Sequence, residues 1–316
     1  MEMSEKIRIL CLSLWFPLTM SRYFEKALRH REDVDLKTCG VFTGAWIPWL
    51  GGMNLPQKYA ISPDIPLPFS PSVGEINYDM VKAQLGDWIP DIVLTIDAGV
   101  HWKYKPSDGL VVHIATDPHV LNYDYQRTIS DKFFNMQAVY SKDKDIYLPY
   151  AYSKYDFYPE RHLIDNYEGQ SKDVDAVLIG LQYGHRQQWI EELRKRGVSV
   201  IAENGPVFDE ARALYNRGRI GLNWSSMDDL NCRAFEIPAM KLCPVMNKVT
   251  DADKFFMDGF HYLSFTNLNE AVEQVVWAKN NPVDAKVIAE RAYQHVHGET
   301  YDQRVTDLLK ECGFVL

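Results

Sequence analysis

The chain has 316 residues, more than one hydrophobic core usually serves, so two domains of roughly 150 residues each are expected. Hydrophobic residues make up 46% and charged residues 24%, a balance that excludes a disordered chain. The net charge of −9 argues against a broad basic surface gripping polyanions, though it leaves local basic patches open, and no apolar run reaches the ~20 residues of a membrane span.

Residues 1–8 are too charged to open a signal peptide. The five cysteines, Cys11, Cys39, Cys232, Cys243 and Cys312, show neither Cys-x-x-Cys nor zinc spacing. Free thiols in a reducing, cytoplasmic compartment are expected. Aromatics reach 13%, with 8 Trp and 18 Tyr, residue types that line carbohydrate and nucleobase sites as well as cores.

In chain order, residues 7–14 form a nearly continuous apolar run, the mark of a strand buried on both faces. A helix is predicted over 20–30 and a strand over 34–42. Residues 43–73 are rich in Pro, Gly and Trp without a period and read as a long loop, a class that is commonly functional. A helix over 78–85, strands over 91–97 and 110–115, and a helix over 123–136 complete the first half.

Residues 147–173 read as a linker. The second half then alternates: strand 174–180, helix 186–196 closed by Gly197, strand 198–202, helix 207–217, strand 220–224. A helix is expected to start at Asn231 or Cys232, followed by strand 244–247, helix 252–257, strand 262–265 and helices over 268–279, 283–296 and 301–311. Strands alternating with helices at this spacing imply an α/β fold of βαβ units, with parallel sheets and right-handed crossovers. In such sheets ligands sit at the carboxyl ends of strands, so the residues just after each strand are the candidates for chemistry.

Two constellations occupy such positions. The first runs Ile179-Gly180-Leu181-Gln182-Tyr183-Gly184-His185-Arg186. Glycines allow close backbone approach, a helix N-terminus presents N–H groups to an anion, and Arg186 adds a bidentate donor. A plain β–α turn with an exposed arginine accounts for the same residues. The spacing is not Gly-x-Gly-x-x-Gly, which disfavours a nicotinamide cofactor. The second runs Asn223-Trp224-Ser225-Ser226-Met227-Asp228-Asp229-Leu230-Asn231-Cys232-Arg233-Ala234-Phe235-Glu236-Ile237-Pro238-Ala239. Asn231 suits an N-cap, and Arg233 and Glu236, three apart, share a helix face. A cation at a helix N-terminus is unfavourable unless an anion lies beside it, which points to a phosphate, while a carboxylate there can bind a sugar diol. Dipole compensation by Glu236 beside a solvated Arg233 is the competing explanation.

The run Asn-x-Arg-x-Phe-Glu-x-Pro-Ala at 231–239, followed by a Pro-Val strand, resembles the C-terminal domain of group 1-type GT-B glycosyltransferases, the spore-maturation (CgeB-like) branch above all. Residues 148–159, 173–186 and 214–223 resemble that branch in the same order, and Tyr301 and Arg304 fit its closing helix. The match spans roughly 147–310; the first half matches in architecture alone. The resemblance implies two Rossmann-like domains facing across a cleft: an acceptor domain over 1–150 and a donor domain over 151–316, whose last helix packs back on the first. It implies that Glu236 binds the donor ribose and that Arg186 and Arg233 face its diphosphate, with Gly180, Tyr183 and Asn231 completing the donor site. Retaining relatives often carry a glutamate where Asp228 stands, so a catalytic part for Asp228 is implied on a shorter side chain. A glycine commonly occupies the position of Lys241. Retention of configuration, a nucleoside diphosphate sugar as donor (a UDP-sugar first) and no required cofactor or metal are further implications.

In the first half, Asp97 and the Asp117-Pro118-His119 turn end strands. Asp97 is expected on the acceptor side, and Asp117 and His119 can orient or deprotonate an acceptor hydroxyl; a capping Asp and an exposed His are the structural alternative. The remaining histidines show no metal spacing, and Asp251-Ala252-Asp253 reads as a helix start. The acceptor is a glycan, protein, small molecule or modified nucleic acid base. The last would make this a DNA glycosyltransferase acting on hydroxymethylated bases, with Trp46 and Trp49 available to stack on an extruded base. A non-catalytic assembly protein on the same fold is the reading from a different class.

Overall fold

The computed structural model describes residues 5–47, 52–67, 74–160 and 172–315. The chain divides into two compact units: Met1–Pro149 with Arg304–Leu316, and Tyr150–Gln303.

The first unit contains β1 (Ile7–Leu12), α1 (Ser21–Arg29), β2 (Val34–Gly40), β3 (Trp46–Ile47), β4 (Met53–Asn54), β5 (Ile65–Pro66), β6 (Glu75–Ile76), α2 (Tyr78–Leu85), β7 (Ile92–Ile96), β8 (His101–Trp102), β9 (Leu110–Ala115), α3 (Asp124–Ile129), β10 (Lys132–Asn135) and β11 (Ile146–Tyr147). Seven strands form a sheet in the order β11-β10-β9-β7-β1-β2-β5, and every pair in it is parallel. Ile9 to Leu12 of β1 and all five residues of β7 are buried. Burial on both faces favours nearly continuous apolar runs in these strands, with Thr95 in β7 and His113 in β9 as buried polar exceptions. Strand order reverses direction of growth between β1 and β7, a topological switch point. Asn77 caps α2 by accepting from the Asp79 amide at 3.0 Å.

The predicted helix over 123–136 is corrected. Helix α3 stops at Ile129, Ser130 turns extended, and residues 132–135 form β10 beside β9. Asp131 holds the break by accepting from the Val111 amide at 3.0 Å. Burial of Phe133 and Phe134 against the sheet outweighs the local helical pattern. The long loop also contributes an edge strand, β5.

The second unit contains β12 (Val174–Ile179), α4 (His185–Lys195), β13 (Val200–Glu203), α5 (Phe208–Asn216), β14 (Gly218–Asn223), α6 (Arg233–Ala239), β15 (Cys243–Asn247), β16 (Leu263–Phe265), α7 (Leu268–Asn280) and α8 (Pro282–Val296). Helix α9 (Tyr301–Glu311) begins in this unit, and its residues from Arg304 onward belong to the first. The sheet runs β13-β12-β14-β15-β16, all parallel, with its switch point between β12 and β14. Trp189, Leu193, Ile220, Val245, Phe265 and Ala271 centre its core. Gly221 lets α6 press onto β14: a Cβ there would lie 2.3 Å from Ile237 Cγ2. The predicted helix over 252–257 is corrected to one 3-10 turn over Ala252–Lys254. Phe255 and Phe256 instead turn toward Phe235, with ring centroids 5.4 and 5.5 Å away. No helix among the described residues is long and apolar enough to cross a membrane.

Candidate functional site

Two loops leave the carboxyl ends of β12 and β14, on either side of the second switch point. The first holds Gly180 at φ +128° and Gly184 at φ +55°, backbone states that favour glycine. At Gly180 the reason is also space, since a Cβ would stand 3.0 Å from Arg233 Nη1. The Arg233 guanidinium thus lies directly against the loop, and its Nη1 donates to the Ile179 carbonyl at 3.1 Å.

Arg186, in the first turn of α4, is only 4% exposed. Its Nε donates to the Trp224 carbonyl and its Nη1 to the Leu181 carbonyl, both at 2.8 Å. The guanidinium lies over the Tyr183 ring at 4.7 Å. Tyr183 in turn bridges to the second loop through its hydroxyl, 2.9 Å from Ser226 Oγ. Burial, then the neighbouring Arg233 charge, lowers Arg186 to about 10. Among the described residues, neither arginine forms an ion pair with a carboxylate, and their side-chain hydrogen bonds go to neutral backbone carbonyls. Arg186 feels the repelling Arg233 charge more strongly than the offsetting charge of Asp229, so an anion that joins the two guanidiniums is favoured.

Helix α6 places the remaining groups. The N-cap position of α6 is Cys232, one residue beyond the predicted Asn231. Asn231 Oδ1 still accepts from the Arg233 amide at 3.1 Å, and Asn231 exchanges amide hydrogen bonds with Asn223 at 3.1 and 3.3 Å. One helical turn on, Glu236 is 7% exposed. Burial raises its carboxyl to about 8, against the opposing pull of Arg233 and with a further upward push from Asp156. Its carboxylate accepts no hydrogen bond among the described residues. Tyr215, buried beside both, has its hydroxyl pushed up to about 12 by burial.

Gly180, Tyr183, Arg186, Asn231, Arg233 and Glu236 therefore lie around one strand-end crevice. Asp228 is engaged elsewhere: it is exposed, and its two oxygens accept from the amide (2.6 Å) and the hydroxyl of Thr250. Lys241 adopts φ +57°, taking the left-handed conformation of the glycine it replaces. Its ammonium pairs with Glu290 at 3.1 Å and lies 4.3 Å from the Tyr293 ring. Tyr215, Trp224 and Ser226 fall within the sequence motifs, but sequence reasoning gave them no part in the site. Trp224 acts through its carbonyl, which carries no side-chain signal.

At the first unit's switch point, Asp97 ends β7 with φ +72°. Its Oδ1 accepts from the Ala98 amide and from the Tyr123 hydroxyl, the latter at 3.4 Å. Burial first, then the Asp117 charge, raises its carboxyl above the usual range. After β9, the Asp117 carbonyl accepts from the amides of Val120 and Leu121, and His119 Nδ1 lies 3.0 Å from Gln137 Oε1. Trp46 is 46% exposed; Trp49 lies outside the described residues. No group of three or more His, Cys, Asp or Glu among the described residues is arranged to hold a metal ion, and Asp251 pairs with Lys254 at 2.8 Å.

Residues 160–310 match the family model described as glycosyl transferase-like. No curated protein matches the sequence. Solved structures match over nearly the whole chain. Sucrose-phosphate synthase from Thermosynechococcus elongatus is 11% identical at a TM-score of 0.64, covering 98% of this chain and 99% of its own. A UDP-N-acetylglucosamine 2-epimerase is 11% identical at 0.56, covering 98% of each chain. An alpha-glucosyltransferase solved with UDP-glucose and DNA containing an abasic site is 11% identical at 0.55, covering 97% of this chain and 99% of its own. The chain has the GT-B fold, with two Rossmann-like domains; at such identities the likeness shows the fold alone.

Proposed function

We propose that the chain is a glycosyltransferase that moves a sugar from a nucleoside diphosphate sugar to a hydroxyl. The observation carrying this reading is the Arg186–Arg233 pair, two mutually repelling guanidiniums at the β12–β14 switch point whose side-chain hydrogen bonds go to backbone carbonyls. A diphosphate neutralises both, and Glu236, one turn along α6, is placed for the ribose hydroxyls. As the glycosidic bond breaks, negative charge grows on the leaving diphosphate, and the two fixed guanidiniums stabilise it without reorganising. The match of 160–310 to a glycosyl transferase-like family supports this direction of chemistry.

The acceptor is assigned to the first unit, where Asp97, Asp117 and His119 present acceptor atoms to a hydroxyl. Retention of configuration and independence of a metal are carried from the resemblance of 147–310 to GT-B donor domains. A UDP-sugar is the first donor to test, because the compared epimerase and alpha-glucosyltransferase carry UDP-sugars in their descriptions. In this reading Asp228 steadies the loop through Thr250.

The test is a panel of UDP- and GDP-sugars with and without EDTA, following release of the nucleoside diphosphate. One donor is expected to turn over in EDTA, and Glu236→Ala to lose that turnover. Turnover that survives in Glu236→Ala contradicts the site. Nucleotide binding with every donor inert favours the non-catalytic assembly protein.

A further inference from the structure

We infer that Tyr123, which the proposed donor and acceptor sets do not include, is the positioning residue that keeps Asp97 charged and aimed as the acceptor of a sugar hydroxyl's proton. The inference rests on the acceptor part proposed for Asp97. Its basis is a set of hydrogen bonds in which the Asp97 carboxylate is the strongest acceptor for the phenol. The Thr116 amide can only donate, and it points at the Tyr123 oxygen at 3.3 Å. The phenol proton then has Asp97 Oδ1 at 3.4 Å and Thr116 Oγ1 at 3.5 Å within reach, and the charged carboxylate is the stronger acceptor. Tyr123 is 1% exposed, and its ring packs edge-on to His113 (5.3 Å) and Phe133 (6.1 Å), so it has one place to stand.

Asp97 needs such support. It occupies the left-handed region at φ +72°, uncommon for a non-glycine residue though aspartate is among those that adopt it most often. The titratable groups facing it are Asp117 after β9 and Tyr123 before α3, with Thr116 as a further donor. Asp117 repels the charged form; the phenol and threonine donors favour it. Burial drives the phenol's own pKa upward, so it stays a donor across the working range. Asp97 can then accept the hydrogen bond of a sugar hydroxyl at the strand-end position where the fold collects ligands.

The experiment is a carboxyl-carbon NMR titration of Asp97 in the full chain, assigned with Asp97→Asn and repeated in Tyr123→Phe, alongside the pH profile of donor turnover. Loss of the phenol is expected to raise the Asp97 midpoint by about one pH unit and to move the acidic limb of turnover by the same amount, with donor KM unchanged. An unmoved midpoint overturns the inference, as does a moved midpoint with an unmoved limb in an active protein. If no donor turns over, the proposed function has failed, and the midpoint alone then decides what Tyr123 does. Should Tyr123→Phe not fold, the wild-type phenol proton gives the answer: its resonance must shift as Asp97 titrates, and one indifferent to that titration overturns the inference.

Discussion

The two units put opposite chemistry at equivalent places. Each has a parallel sheet whose order reverses once, and each gathers its unusual residues at the strand ends beside that reversal. In the second unit these are Arg186, which is buried, and Arg233, which is half-buried, both cations resting on carbonyls. In the first they are Asp97, with Asp117 nearby, steadied by a phenol and the Ala98 amide. Topology thus fixes where a ligand sits, and the loop residues decide its charge. A cationic crevice suits a leaving diphosphate; an anionic one suits a hydroxyl about to lose its proton.

The largest expected effect sharpens that contrast. Arg233→Ala should weaken nucleoside diphosphate binding by about 2–3 kcal/mol in calorimetry, the worth of a charge-assisted hydrogen bond. Asp97→Asn should leave that affinity unchanged. Equal losses in both variants would erase the distinction between the two crevices.

Gly180→Ala comes next. Its φ of +128° and the 3.0 Å approach to Arg233 Nη1 together predict a cost of roughly 1–3 kcal/mol. The affinity for nucleoside diphosphate should fall with it, because the guanidinium is displaced. Wild-type binding in Gly180→Ala would show that Arg233 does not work from its observed place.

Glu236 gives a pH signature. Its carboxyl, raised to about 8, keeps a proton in the folded protein that the unfolded chain releases near the ordinary value of about 4.3. Stability from this group is therefore complete below that lower value and is lost as pH rises through about 8. Glu236→Gln should raise the thermal midpoint at pH 9 and leave it nearly unchanged at pH 4. The reverse order would mean a carboxylate already ionised and paired.

The smallest effect belongs to Asp228. With both oxygens on Thr250, Asp228→Ala should cost about 1 kcal/mol of stability, in the range of a lost cap. Donor turnover should stay within twofold. Loss of turnover with intact stability would restore Asp228 to the chemistry.

Sequence carried most of the fold wherever burial imposed a pattern. β1 and β7 read as nearly continuous apolar runs because both their faces are buried. β5 and β11, two residues each, are too short to show any period. β10 was hidden because Phe133 and Phe134 continue the pattern of α3, and only the sheet beside them decides otherwise. At the site, Gly180, Arg186, Arg233 and Glu236 stood out by falling after strands with glycine and charge at helix starts. Tyr123 and Ser226 did not, since each matters through a partner distant in sequence. Asp228 shows the opposite limit: its position was suggestive, yet Thr250, 22 residues on, takes both its oxygens.

The most direct measurement is a crystal structure of the chain with UDP. The account predicts both phosphates within hydrogen-bonding reach of the Arg186 and Arg233 guanidiniums, and the ribose hydroxyls on Glu236. UDP bound with its phosphates away from both arginines would contradict it.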